Sequence, residues 1–165
     1  MNRKLRSKRV IRFQDCDPFN HLNNARYIDY FINTREDQLV EHYGLDVFSE
    51  MKTSGKSWVV TSNQISYMRP AKTMESVLID SQLIHFDDHR LKVEMMMWNE
   101  DETEIKAIIW MTFTHVNVIE SSLEKHSKTL MDLFRSVAVD ISDQSFEERI
   151  KNLLSSNKIK QHADA

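Results

Sequence analysis

Arg12 to Phe31, R-F-Q-D-C-D-P-F-N-H-L-N-N-A-R-Y-I-D-Y-F, is the stretch on which the fold turns. It crowds Asp15, Asp17, Asn20, His21, Asn23 and Asn24 together, and an apolar helical pattern follows at once. Asn and Asp side chains compete for backbone hydrogen bonds, which makes them poor inside helices and good at their starts. The stretch therefore reads as a strand, a polar loop and a helix start. A helix N-terminus presents unpaired N–H groups and the positive end of the dipole. A carboxylate facing it is suited to acyl chemistry.

Upstream, residues 8–14 are short and β-branched and read as the strand; residues 15–23 are the loop. Downstream, Ile28, Phe31, Ile32, Leu39 and Val40 recur near helical spacing from Asn24 to Tyr43, with Arg35 interrupting and Gly44 placed as the stop. A loop through Lys52 to Lys56 follows, then strands at 58–68, 76–86, 90–99 and 104–118. Leu91, Val93, Met95 and Met97 share one face of their strand. Ile105, Ala107, Ile109, Met111 and Phe113 share one face of theirs, with Lys106, Thr112 and Thr114 opposite. The joins at 87–89 and 100–103 are short and polar, as antiparallel hairpins require. One long helix followed by a strand meander predicts an α+β fold, the helix lying on an antiparallel sheet.

The tail differs. Leu130, Leu133, Phe134 and Val137 repeat at helical spacing, and so do Phe146, Ile150, Leu153 and Leu154. Two amphipathic helices are expected, Asp143 or Ser145 capping the second, docked on their own or the neighbouring subunit away from Asp17, or else binding a partner, with the last eight residues frayed. The organisation is thus a domain over 1–120 and a helical extension over 121–165.

Composition narrows the function classes. The 165 residues suit one domain, and 41% hydrophobic with 28% charged residues is ordinary for a globular chain. A net charge of −3 gives no general attraction to nucleic acid. No apolar run is long enough to span a membrane. Cys16 is the only cysteine, which fits a reducing, cytoplasmic compartment. Two glycines and two prolines leave no phosphate-cradling loop, Walker sequence or nucleophile elbow. The basic N-terminus (Arg3, Lys4, Arg6, Lys8, Arg9) is either a solvated strand face or a patch for anionic phosphates.

D-C-D-P-F-N-H-L-N-N-A-R-Y resembles the signature of the hotdog-fold acyl-CoA thioesterases of the 4-hydroxybenzoyl-CoA thioesterase type. I-S-Y-M-R-P-A at Ile65 to Ala71 matches where that family ends its second long strand. The likeness covers roughly residues 8 to 118. It implies a hotdog fold, a long central helix wrapped by an antiparallel sheet, here with a C-terminal helical extension. It also implies hydrolysis of acyl-CoA, or of an acyl carrier protein thioester, by a homodimer or homotetramer with no metal or redox cofactor.

By the family pattern Asp17 is the catalytic carboxylate, acting as nucleophile or general base. Its alternative role is to open the turn at Pro18. Asp15 then serves structure, bonding the loop or pairing with Arg12. His21 lies four residues after Asp17, as in the plant acyl-carrier-protein thioesterases, which the loop also resembles. Those carry an Asn where this chain has Phe19. Asn23 and Asn24 cap or open the helix, and the resemblance makes the Asn24 amide the oxyanion hole. Tyr27 packs or lines the pocket, Asn23 borders the substrate, and Arg69 and the Lys52–Lys56 loop are candidates for CoA phosphates. Cys16 between two aspartates is a poor nucleophile, since neighbouring negative charge disfavours the thiolate. The run Met95 to Met97 beside Trp98 is core or interface, though flexible Met would suit an acyl channel. His85 and His89 share i,i+4 spacing but straddle a predicted turn, so the helical metal geometry is lost, and no C-x-x-C or H-E-x-x-H occurs. The rival reading is a non-catalytic hotdog module that holds an acyl ligand or an assembly partner.

Overall fold

A computed structural model describes residues 1–163 of the chain, with side chains to residue 156. The elements run β1 (Lys4–Val10), α1 (Tyr27–Tyr43), α2 (Val47–Ser54), β2 (Lys56–Tyr67), β3 (Ser76–Phe86), β4 (Arg90–Asn99), β5 (Ile105–Asn117), the two-residue β6 (Ser122–Leu123), α3 (Lys128–Val137) and α4 (Phe146–Ala163). The strands form one antiparallel sheet ordered β1-β3-β4-β5-β2, with β6 beside β5.

Both faces of the sheet are covered over β3, β4 and β5, whereas most of β2 is exposed. On the inner face, Tyr27 and Phe31 of α1 pack on Ile79, Val93, Met95, Met97, Ala107, Ile109 and Met111. On the outer face, Met96, Ile108 and Trp110 pack under Phe146 of α4, with Ile150 and Leu153 against them. The alternation of side chains along each strand sends odd- and even-numbered residues of β4 and β5 to opposite layers. So the Met95–Met97 run is core on both faces, and the face of β5 holding Lys106 and Thr112 also buries Ile108 and Trp110.

Several expectations need correction. The first strand runs over Lys4–Val10 instead of 8–14, because its register against β3 begins at Lys4↔Gln82 and ends at Val10↔Ser76. Most of its cations are paired rather than free for phosphates. Arg6 meets Asp80 and Glu102, Lys4 meets Asp80, Lys8 meets Glu100 and Arg9 meets Asp37. The loop expected through Lys52–Lys56 is mostly helix α2. Asp46 caps it by accepting from Phe48 N at 3.0 Å and Ser49 N at 3.1 Å, and Gly55 ends it with φ 70°. The central helix starts with a 3-10 turn at Asn24–Arg26, then runs as α-helix to Gly44, left-handed at φ 64°. Its buried stripe is Tyr27, Phe31, Thr34, Arg35 and Gln38, whereas Val40 is exposed.

The polar half of that stripe is held by the strands beneath. Gln38 donates to Ser7 Oγ at 3.0 Å and Ile79 O at 3.3 Å, and Ser81 Oγ donates to Gln38 Oε1 at 2.5 Å.

Helices α3 and α4 form where the apolar spacing placed them. Ser127 Oγ caps α3 through Leu130 N at 3.2 Å, and Ser145 Oγ caps α4 through Glu148 N at 3.1 Å. Phe134 and Val137 of α3 belong to the inner core. Asp143 instead joins a buried network under α4. Glu94 accepts from Trp110 Nε1 (2.8 Å), Gln82 Nε2 (2.9 Å) and Arg149 Nε and Nη2 (2.8 and 2.9 Å), while Arg149 Nη1 reaches Asp143 at 3.0 Å. Of the eight terminal residues expected to fray, helix continues to Ala163; the last two lie outside the described residues. Among the described residues no helix is long and apolar enough to cross a membrane.

Candidate active site

The loop before α1 folds on itself through Asp17. Its Oδ1 accepts from Phe19 N at 2.9 Å and His21 N at 3.2 Å, and its own N–H donates to His21 O at 2.8 Å. This is the turn-opening role, and one carboxylate oxygen carries it. The other, Oδ2, has no hydrogen-bond partner among the described residues. The turn closes with Asn20 in the left-handed region at φ 65°, which Asn tolerates through its short polar side chain. A bridge between His21 and Lys72 ties the loop to the segment after Pro70.

Asn23 caps the 3-10 turn: its Oδ1 accepts from Ala25 N at 3.0 Å. The next amide, Asn24 N–H, lies at the helix start with no hydrogen-bond partner among the described residues. That is the orphan donor a helix N-terminus leaves. The Asn24 carbonyl, by contrast, accepts from Tyr67 Oη at 3.0 Å.

These pieces converge. Asp17, His21, Leu22, Asn24, Tyr27, Tyr67, Met68, Arg69 and Pro70 line one open pocket of about 230 Å³. Five of the six residues singled out from sequence thus share a wall. Asn23 stands just outside, committed to the cap. Tyr27 is 2% exposed; its ring meets Tyr67 edge-on at 5.1 Å, and its hydroxyl oxygen accepts from Ala71 N at 3.1 Å. Burial pushes the Tyr27 hydroxyl pKa up, keeping it neutral.

Asp15 pairs with Tyr30 rather than Arg12. The Tyr30 hydroxyl donates to Asp15 Oδ2 at 2.8 Å and accepts from Arg12 N at 2.9 Å. Burial, with Asp15 beside it, pushes Tyr30 up to about 12. Cys16 Sγ faces the Arg12 carbonyl at 3.4 Å and is absent from the pocket wall.

Sequence reasoning did not single out Tyr30, Tyr67 or Lys106. The first two carry a signal in hindsight. Tyr30 sits one helical turn after Tyr27, and Tyr67 lies inside I-S-Y-M-R-P-A. Lys106 carries none, because its role is a cross-sheet contact. It is 5% exposed, and its Nζ holds Glu75 at 3.0 Å and the Pro70 carbonyl at 3.3 Å, bracing the turn that presents Arg69.

A second cavity, about 90 Å³ and mostly apolar, lies further along α1. Ile32, Leu39 and Tyr43 of α1 line it with Trp58 of β2 and Leu133, Phe134 and Val137 of α3. Tyr27 and Tyr67 mark one end of the α1–β2 seam; Tyr43 and Trp58 mark the other. Helix α3 therefore walls a cavity as well as covering core, and among the described residues none of α3 or α4 lines the Asp17 pocket.

Known proteins resemble this chain in sequence and in fold. The family model described as Thioesterase-like superfamily matches residues 11–133. The long-chain acyl-CoA thioesterase FadM of Escherichia coli (strain K12) is 28% identical over 108 residues, covering 66% of this chain and 80% of its own. Among solved structures, the probable thioesterase YbaW of Escherichia coli superposes with a TM-score of 0.68 at 23% identity, covering 81% of this chain and 98% of its own. The Staphylococcus aureus protein SAV2348, solved in complex with CoA, gives a TM-score of 0.76 at 12% identity, covering 88% and 90%. The likeness to these structures establishes the hotdog fold.

Proposed function

The chain belongs to the thioesterase-like superfamily and is a thioester hydrolase, and from that premise we propose that it cleaves acyl-CoA to a free acid and CoA, with Asp17 acting at the carbonyl and the Asn24 amide holding the oxyanion. The observation that carries this reading is the convergence of a half-used carboxylate and an unpartnered helix-start N–H on one pocket.

The chemistry follows from those two groups. With the thioester carbonyl oxygen on Asn24 N–H, charge developing on that oxygen meets a fixed donor and the positive end of α1. Asp17 Oδ2 then attacks the carbonyl carbon, or takes a proton from a water that attacks it. Either route expels CoA thiolate. By the general-base route the thiolate takes the proton that Asp17 gained from the attacking water; by the nucleophile route it takes a proton from solvent, and water afterwards opens the acyl-Asp17 anhydride to the free acid and the Asp17 carboxylate. The Asn23 cap holds the helix start that carries the Asn24 amide, and His21 and Tyr27 shape the polar wall. Arg69 is the cation nearest the pocket for a CoA phosphate. Lys56 of the other candidate segment is already paired with Glu124 at 2.8 Å. Acyl carrier protein as the thiol carrier remains the variant of this reading that shares the same site.

The chain acts as a homodimer or homotetramer. Strand β2 is an edge of the sheet, and Val59 and Val60 on it are exposed; soluble proteins cover such edges. Residues 1–120 carry the chemistry and 121–165 support it, in the reducing compartment that a single cysteine suits.

The test is Asp17→Asn, assayed against an acyl-CoA panel by release of free thiol. The amide oxygen can still accept the turn N–H groups, so folding is kept, and turnover falls by at least about a hundredfold. A folded variant with near wild-type turnover refutes the assignment.

A further inference from the structure

The apolar cavity at the far end of the α1–β2 seam has one feature that an alkyl chain does not need. Arg35, which breaks the apolar pattern of the helix, reaches into its wall. The residue is 7% exposed and sits among Ile32, Leu39, Leu83, Val93 and Val137. Its Nη1 donates to Ser81 Oγ at 2.9 Å, and the Tyr43 hydroxyl is its other neighbour. It makes no ion pair among the described residues. Burial lowers it only to about 10, so it is cationic at neutral pH.

A buried guanidinium is normally matched by a carboxylate, because neutral acceptors only partly offset its desolvation. Of its five N–H donors, the two neutral neighbours leave several unmet. The cavity it borders has open volume, and that volume is where an acceptor can enter.

We propose that this cavity receives the far end of the acyl chain and that Arg35 selects chains carrying an oxygen acceptor there, a hydroxyl, carbonyl or carboxylate, over plain alkyl ends. The inference rests on the acyl-CoA reading above. Asn24 and Arg35 are eleven positions apart, roughly 16 Å along a helix, the span of a long acyl chain. Glu36 also lines the cavity. Its carboxyl is pushed up by burial and by Asp37 beside it. A hydroxyl can accept from Arg35 and donate to Glu36, while a carboxylate can only accept. The hydroxyl end is the better fit.

Non-hydrolysable S-alkyl-CoA thioethers test this without relying on turnover. A series from octyl to hexadecyl, each ending in methyl, ω-hydroxyl or ω-carboxylate, is titrated calorimetrically into the full-length wild-type protein. At the best-fitting length an oxygenated end binds about tenfold or more tightly than methyl, the scale of a hydrogen bond to a charged group. In Arg35→Met that preference disappears while the methyl-ended thioether binds at least as well. If Arg35→Met does not fold, the wild-type comparison alone decides. Equal binding of all three ends, or preference for methyl, overturns the selection by Arg35 and leaves the acyl-CoA reading standing. Failure of every thioether to bind overturns both.

Discussion

Replacing Arg149 with Met removes the cation that neutralises Glu94 beneath α4. The Glu94 side chain is 0% exposed and Arg149 is 18% exposed. After the change, Glu94 keeps Trp110 Nε1 and Gln82 Nε2 as neutral donors and loses two charge-assisted bonds. Asp143, 2% exposed, loses its cation and keeps the neutral Asn152 amide. Breaking a buried pair from one side costs about 3–5 kcal/mol, because a charge is left without compensation. Unfolding entropy near the midpoint is about 2 cal/mol/K per residue, so a chain of this size loses roughly 9–14 °C in Tm. Differential scanning calorimetry at neutral pH reads this directly. The double variant Glu94→Gln with Arg149→Met removes the Glu94 charge as well; the new amide oxygen accepts from Trp110 Nε1 and its NH2 donates to Gln82 once that side chain flips, so the Glu94 share of the loss is recovered while Asp143 keeps its charge without a cation. Thioesterase activity of the folded fraction at 25 °C stays near wild type, since α4 lies across the sheet from α1. A Tm fall under about 3 °C for Arg149→Met, or a double variant no better than the single, refutes the account of how α4 is held.

Acid should loosen the same chain at another point. His115 and His126 are 2% and 8% exposed and stack with Trp58; His126 Nε2 accepts from Trp58 Nε1 at 3.0 Å, and His126 Nδ1 donates to Asp87 O at 3.0 Å. Burial pushes both below the ordinary 6.5, His115 further through its neighbour His126, with Glu124, Lys56, His89, Asp87 and Asp88 around them. The unfolded chain therefore binds protons first as pH falls through about 6.5, and stability, full above that value, declines below it by up to about 1.4 kcal/mol per pH unit for each histidine. Melting curves from pH 8 to 5 should show this, and His115→Phe, which keeps the stack, should flatten them; an unchanged slope rules the pair out. For the β2 edge, light scattering should find at least twice the 19.6 kDa chain mass at micromolar concentration, and Val60→Asp should lower it. A wild-type monomer that still turns over removes the assembly claim.

How much was legible in the chain depends on how local the cause is. The strands at 76–86 and 90–99, the Gly44 stop and the two tail helices follow from alternation, helical spacing and cap chemistry within a few residues. Helix α2 was equally local, written in Asp46 and Gly55, and went unread because its apolar face is short. The D-C-D-P loop announced a carboxylate before a helix start, and one turn and one cap make Asp17, His21 and Asn24 neighbours. What only the tertiary structure decided are contacts between elements far apart in the chain. Register against β3 set where β1 begins and spent its cations on Asp80, Glu100 and Glu102. Packing of α4 made Ile108, Trp110 and Glu94 interior. The sheet brought Lys106 under Pro70 and placed Arg35, a break in a helical pattern when read along the chain, against a cavity closed by α3. A sequence states which side chains exist and their local period. Whether a buried cation finds its counter-charge depends on which strand lies beneath it.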